Sequence, residues 1–421
     1  MKLCVMGLGY IGLPTSIMFA NAGCEVVGVD INKSIIDLLN SGSIHIEEPG
    51  LEELFLQQVR EGKFRASTRP EQADVFIIAV PTPFQKDIYS CDLSYVLQAS
   101  RDILRYVSKG NVVIIESTIA PNSMKNHVKP IFEKAGYTIG KDLYLVHCPE
   151  RVLPGKILHE LIHNNRIVGG ITAECTEMGA KVYSKFVRGE ILKTEATVAE
   201  LSKCMENTYR DVNIALANEL AKVCDTLEID CLDVIRMANK HPRVNIHQPG
   251  PGVGGHCLAI DPYFIYAEAP EDAKLIKLAR DINSSMPHFV TDVVRRLCGG
   301  TNGCKVAALG ATYKGNVDDC RESPALEVIE LLREVGFAVD VYDPHVDNPD
   351  FVGLDAAIDG ADLILVLVDH NEYKDMNHAE LARRMRRPML FDTRNMIAAQ
   401  PGSGMEIVNY GNMHQYKNKN R

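Results

Sequence analysis

Residues 2 to 170 repeat one pattern: a short β-rich run ends in a polar or glycine-containing turn and gives way to a helical stretch. The runs are KLCVMG, CEVVGVD, DVFIIAV, NVVIIES, DLYLVHC and RIVGG. Strands that alternate with helices lie mostly parallel, because a parallel pair needs a long crossover and a helix supplies it. The alternation returns after about residue 300 with KVAALG, AVDVYD, DLILVLV and PMLFD, which predicts a second, smaller α/β domain. Between the two, residues 195–227 hold no Gly or Pro and read as one long helix.

The first run leads straight into VMGLGYIG. Gly7, Gly9 and Gly12 there have the G-x-G-x-x-G spacing, between a strand and a helix. That context turns a weak pattern into a dinucleotide-binding expectation. Gly7 allows the tight turn, Gly9 lets a pyrophosphate approach the backbone, and Gly12 lets helix and strand pack closely. The second strand ends in VGVDIN, so Asp30 stands where a carboxylate accepts from ribose hydroxyls and repels a 2′-phosphate, which predicts NAD over NADP. The expected architecture is α/β, with two Rossmann-like parallel-sheet domains. These are an NAD-binding domain (1–194) and a C-terminal domain (300–421), joined by a long central helix and helical linker with a cysteine loop (195–299).

A chain of 421 residues is too long for one compact core. Its net charge of −10 argues against a nucleic-acid surface, so an anionic ligand needs a few local Lys and Arg. The longest apolar runs are strand-sized, far short of the ~20 residues of a membrane helix, so no membrane contact is expected. The start, MKLCVMGLGYIGL, reads as strand and turn rather than as an export signal, and predicts a cytoplasmic protein. Twelve cysteines without a Cys-x-x-Cys pair suit reduced thiols better than a disulfide framework or a zinc cage. HELIH (159–163) matches a zinc-protease pattern, but a turn and strand follow at once and no third ligand stands at a suitable spacing, so no metal is expected.

One cysteine stands apart. In GPGVGGHCLAIDPYF (250–264), Cys257 follows a glycine run, and a helical turn would stack it with Asp261 four residues on. A thiol at a helix N-terminus ionises more readily, which suggests a nucleophile with a carboxylate partner. A small buried apolar residue is the other reading of the same cysteine.

The glycine loop, CPERVLPG, AELSKCMEN, GPGVGGHCLAID and GATYKGNVDDCRESPA occur in this order. Together they resemble the UDP-sugar 6-dehydrogenase family, within the UDP-glucose/GDP-mannose dehydrogenase superfamily, over essentially the whole chain. The resemblance implies oxidation of C6 of a nucleotide sugar from alcohol to carboxylate with two NAD+ in succession. It makes Cys257 the nucleophile of a thiohemiacetal and a thioester. It assigns Lys203 and Asn207 to the charge on the C6 oxygen, where the bare sequence reads a solvated helix face. It assigns Asp261, Thr118 and Glu150 to holding or activating water. For the cofactor it adds Tyr10, Ile11, Thr82, Pro83, Thr118 and Arg321 to the loop glycines and Asp30. For the substrate it adds Glu150, Arg151, Lys203, Asn207, His247, Gly254, Lys314 and Arg394. Arg243 is expected to cross a two-fold interface into the neighbour's site, making the protein a homodimer.

The continuation ERVLPG after Pro149 is similar to the form associated with acetamido sugars. It implies UDP-N-acetyl-D-mannosamine as substrate, with UDP-N-acetylglucosamine or UDP-glucose as alternatives. Two rivals remain: a single-oxidation β-hydroxyacid dehydrogenase, which needs no cysteine, and an NAD-binding regulator without turnover.

Overall fold

The computed structural model describes residues 1–85, 87–301 and 303–417. They form two compact units, one within residues 1–206 with 263–270 and one within 207–262 with 271–417. The long helix runs Ala196–Leu227, and the division falls inside it, so the 195–299 segment is shared between the units.

The first unit is built on an eight-stranded sheet. Its strands are β1 (Lys2–Met6), β2 (Glu25–Val29), β3 (Phe64–Ser67), β4 (Val75–Ile78), β7 (Asn111–Ile115), β8 (Leu143–His147), β9 (Arg166–Gly170) and β10 (Ile191–Glu195). A small hairpin of β5 (Phe84–Gln85) and β6 (Ser90–Cys91) stands outside it. The order β10-β9-β8-β7-β4-β1-β2-β3 reverses direction at β1, next to β4, the switch point where an open α/β sheet leaves a ligand crevice. Apolar runs such as VFII are fully buried because both faces are covered. All neighbouring pairs are parallel except β8 with β9.

The second unit holds a five-stranded parallel sheet in the order β12-β11-β13-β14-β15. These strands are β11 (Lys305–Leu309), β12 (Ala338–Tyr342), β13 (Leu363–Val366), β14 (Met389–Asp392) and β15 (Glu406–Asn409). Its switch point lies between β11 and β13. Two apolar clusters cover its faces, one of them joined by Ala221 and Cys224 of the long helix.

Cys298 and Cys304 are joined as a disulfide, which departs from the expectation of reduced thiols. The short connection from the helix Met286–Cys298 into β11 brings their Cα atoms to 6.4 Å, within reach of a bridge. Among the described residues no helix is long and apolar enough to cross a membrane.

Candidate active site

In the first unit the glycine loop begins where β1 ends. Gly7 has φ +91°, and a Cβ there would lie 2.5 Å from the Ala79 carbonyl oxygen. A Cβ on Gly12 would come within 1.9 Å of the Gly7 carbonyl oxygen, so this glycine is what lets the helix Gly12–Asn21 start against the loop. Gly9 differs: its Cβ would meet nothing within 4 Å. The loop is closed on the inside and open at Gly9, as a bound pyrophosphate requires. Tyr10 is exposed and Ile11 half-buried at the same edge.

Asp30 follows β2 and has work within the fold. Its Oδ2 accepts from the Leu8 amide at 2.9 Å and its Oδ1 from the Asn32 amide at 2.8 Å. The carboxylate is thereby fixed beside the loop, and each oxygen keeps a lone pair for a ribose hydroxyl.

The ends of β4 and β7 are tied together. Ser117 Oγ donates to the Val80 carbonyl at 2.7 Å, and Thr82 Oγ1 donates to the Thr118 carbonyl at 2.8 Å, leaving Pro83 exposed. The opening turns of the long helix sit on the loop that follows. Glu200 accepts from the amides of Asn122 and Met124, both at 2.7 Å, and Cys204 Sγ lies 3.8 Å from the Ile119 carbonyl oxygen. Lys203, on this stretch, is buried, and its charge bears on His147 at the end of β8. Burial first, and Lys203 second among the depressing influences, hold that imidazole neutral, pushed down to about 3. Thr118, Glu150 and Lys203 are thus gathered at one edge of the first sheet.

Arg151 is engaged: it pairs with Glu206 at 2.6 Å and donates to the Asn165 carbonyl. Glu150 is engaged as well, by residues that sequence reasoning missed. Arg166 donates to Glu150 Oε2 at 2.5 Å, and Tyr183 donates to the neighbouring Glu116 at 2.5 Å. The available signal was an arginine opening the otherwise apolar run RIVGG.

The second unit holds the cysteine loop. The Asp261 amide donates to the Cys257 carbonyl at 2.9 Å, closing one helical turn that runs into the helix Asp261–Glu268. Cys257 is exposed, whereas Asp261 is buried and its Oδ2 accepts from Asn207 Nδ2 at 2.6 Å. The glycine run before the thiol is clamped: Asn218 Oδ1 accepts from the Gly250 amide at 2.8 Å, and Asn395 Nδ2 donates to the Pro249 carbonyl at 3.2 Å. Gly254 has a packing reason of its own, since its Cβ would lie 2.3 Å from the Glu322 carbonyl oxygen.

Arg321, expected at the cofactor, is gripped by Asp319 through Nη2 at 2.6 Å and Nε at 2.9 Å, and its charge lies near enough to Cys257 to interact with it. His256 turns toward the same pair, Nδ1 at 4.0 Å from Asp319, and burial with Arg321 pushes its imidazole down.

A small pocket at the strand ends of the second sheet is lined by Pro251, Thr312, Tyr313, Asp369 and Arg394. Arg394 pairs with Asp369 at 3.2 Å there. Lys314 and Arg243 are exposed and His247 half-buried, and the geometry ties none of these three to the others.

In the helix Ile157–His163 the His159 and His163 rings stack with centroids 4.3 Å apart, and His163 Nδ1 bonds the His159 carbonyl at 2.9 Å. His370, near His345 and Glu372, accepts from the Asn316 amide at Nδ1, so its Nε2 carries the proton toward Asp343 and offers no lone pair to an ion.

Comparison with known proteins agrees with this layout. Residues 1–187 match the NAD binding domain of the UDP-glucose/GDP-mannose dehydrogenase family, 197–285 its central domain and 307–399 its UDP binding domain. A UDP-N-acetyl-D-mannosamine dehydrogenase of Methanococcus vannielii is 46% identical over 406 residues, covering 94% of this chain and 93% of the relative. One from Campylobacter jejuni is 45% identical over 390 residues, covering 88% and 96%. The native structure of the UDP-N-acetyl-mannosamine dehydrogenase of Staphylococcus aureus superposes with a TM-score of 0.90 at 54% identity, covering 99% of this chain and all of that one.

Proposed function

Because the chain belongs to the UDP-glucose/GDP-mannose dehydrogenase family, we propose that it oxidises C6 of UDP-N-acetyl-D-mannosamine to the uronic acid in two NAD-dependent steps, four electrons in all. The observation that carries this reading is the exposed Cys257, one helical turn before a buried Asp261 that is bonded to Asn207. A one-step dehydrogenase has no use for such a thiol.

The open face at Gly9 and the fixed Asp30 suit NAD, which when bound accepts a hydride from C6 in each oxidation. The first oxidation leaves an aldehyde. The Cys257 sulfur adds to its carbon, and the resulting thiohemiacetal still carries the hydrogen that the second oxidation removes. Lys203 and Asn207 are assigned to the negative charge that develops on the C6 oxygen. A thioester remains. Water adds to its carbonyl, the C–S bond breaks, and the acid leaves with the thiol restored. Thr118, Asp261 and Glu150 are assigned to this water. Arg394 and Lys314 are assigned to the nucleotide sugar, and with Arg321, assigned to the cofactor, they are the local positive charges that an acidic protein needs for a pyrophosphate; Arg151 is assigned as a donor to the sugar.

The test is NADH release with a panel of UDP-sugars. Two NADH per acid are expected, with the highest kcat/KM for UDP-N-acetyl-D-mannosamine. A ratio of one points to the single-oxidation rival, and a higher kcat/KM for UDP-glucose than for both acetamido sugars removes the substrate assignment.

The proposal includes a homodimer in which Arg243 serves the neighbour's site. Its support is the exposure of Arg243 and of Tyr209, Leu216, Val223 and Leu227 along the long helix. Co-expressed Arg243→Ala and Cys257→Ala chains are each inactive alone, but their mixed dimers recover up to about half the activity, because one site then carries both defects and the other neither. No recovery in dimers verified by mass assigns Arg243 to its own chain.

A further inference from the structure

The first unit buries one cation between two carboxyl groups, and nothing in the reaction scheme accounts for it. The Arg166 side chain is 4% exposed, that of Glu150 8% and that of Glu116 0%. They meet because β9 runs against β8. The register pairs Val146 with Gly170 and His147 with Gly169, and carrying it on sets Arg166 across from Glu150. Had β9 run parallel to β8 like its neighbours, Arg166 would open at the far edge of the sheet, away from the ligand crevice.

Both oxygens of Glu150 are then fixed. Oε2 accepts from Arg166 Nη2 at 2.5 Å, and Oε1 accepts from the Arg151 amide at 2.7 Å. Arg166 is fixed in turn. Its guanidinium lies over the Tyr183 ring at 4.5 Å and the Phe186 ring at 5.8 Å, with Nη1 3.7 Å from Cys148 Sγ. Its approach to Glu116 is looser, 3.6 Å. Burial pushes the Glu116 carboxyl up to about 7, and the Tyr183 hydroxyl, not the arginine, makes its short hydrogen bond. The close partner of the guanidinium is therefore Glu150, at 2.5 Å, and not Glu116.

We propose that Arg166 is a positioning residue: it holds the Glu150 carboxylate in the orientation from which it takes a proton from the water that attacks the Cys257 thioester. The step balances as water oxygen bonding to C6, its proton passing to Glu150, and the C6–S bond breaking to return the thiolate. A planar guanidinium that stacks and donates from two nitrogens does this, and a lysine ammonium does not. The inference rests on the proposed function, since it needs a thioester to hydrolyse.

The test uses the full-length enzyme with NAD and UDP-N-acetyl-D-mannosamine. Glu150→Gln is expected to lower kcat about 100-fold, and Arg166→Lys about tenfold or more with KM within about twofold. In both, a sugar-acyl adduct on Cys257 accumulates in intact-mass spectra. If Arg166 acts through Glu150, the double variant falls no more than about twofold below Glu150→Gln alone. Losses that multiply, a rise confined to KM, or a rate loss without adduct overturns the proposal. Should Arg166→Lys fail to fold, Glu116→Gln decides. That variant mimics the neutral acid and is expected to keep kcat within about twofold at pH 6.5, whereas a loss of about tenfold makes Glu116 the partner and overturns the assignment. A wild-type enzyme inactive on every UDP-sugar refutes the proposed function instead, and an undiminished Glu150→Gln refutes the role of Glu150.

Discussion

Cys257→Ala is expected to lose acid formation by a factor of about 10⁴ or more while its dissociation constant for NAD stays within about twofold. An aldehyde cannot release a hydride until a nucleophile has made its carbon tetrahedral, and the thiol supplies that bond. The local structure separates this role from folding: Cys257 is exposed, and its contribution to the turn before Asp261 is its main-chain carbonyl, which alanine keeps. The clamps on the preceding loop, from Asn218 and Asn395 to Gly250 and Pro249, are equally untouched. Isothermal titration with NAD and a quantitative assay of the uronic acid measure the two halves. Acid formation at the wild-type rate sinks the covalent mechanism, and a large loss of NAD affinity makes the thiol part of the cofactor site.

What the sequence disclosed, and what it withheld, follows from the range of the interactions. The parallel architecture was legible because strand and helix periods alternate locally and the G-x-G-x-x-G loop lies at their first junction. The thiol was legible because glycines and a carboxylate four residues on are neighbours in the chain. The antiparallel β9 was not, since RIVGG reads the same in either direction and only the pairing with β8 fixes it. Arg166, Glu116 and Tyr183 were missed with it, because their meeting depends on that reversal and on a helix face contributed by residues 173–183. Asp30 was read for its ribose chemistry, yet half of its task is to hold the Leu8 and Asn32 amides, a contact spanning 22 residues in the first case. Gly254 was read as a substrate residue, while the geometry gives its missing side chain to the Glu322 carbonyl.

Gly12→Ala and Gly9→Ala are expected to fail in opposite ways, and the contrast separates the fold of the dinucleotide loop from its ligand. At Gly12 the added methyl would sit 1.9 Å from the Gly7 carbonyl oxygen and 3.0 Å from its carbon. Both atoms are backbone, and Gly7 is itself held by its amide hydrogen bond to Val29 at 2.8 Å. No side chain can swing aside, so the helix Gly12–Asn21, buried along nearly its whole length, must shift against the sheet. Overpacking of this kind costs ~1–3 kcal/mol in ordinary cores and more where backbone is struck. The expected result is a melting temperature lower by ~10 °C or more, with NAD affinity weaker by about 100-fold or beyond detection because the loop amides lose their alignment. At Gly9 the methyl meets no protein atom, so the melting temperature of the ligand-free enzyme should stay within about 2 °C of wild type. NAD binding should still weaken by about tenfold or more, since the methyl occupies the space through which the pyrophosphate reaches the backbone. Thermal melts without ligand and titration with NAD read the two effects independently. Unchanged NAD affinity in Gly9→Ala would remove the pyrophosphate from this loop, and an undisturbed melt in Gly12→Ala would show that helix and strand are not locked together at Gly7.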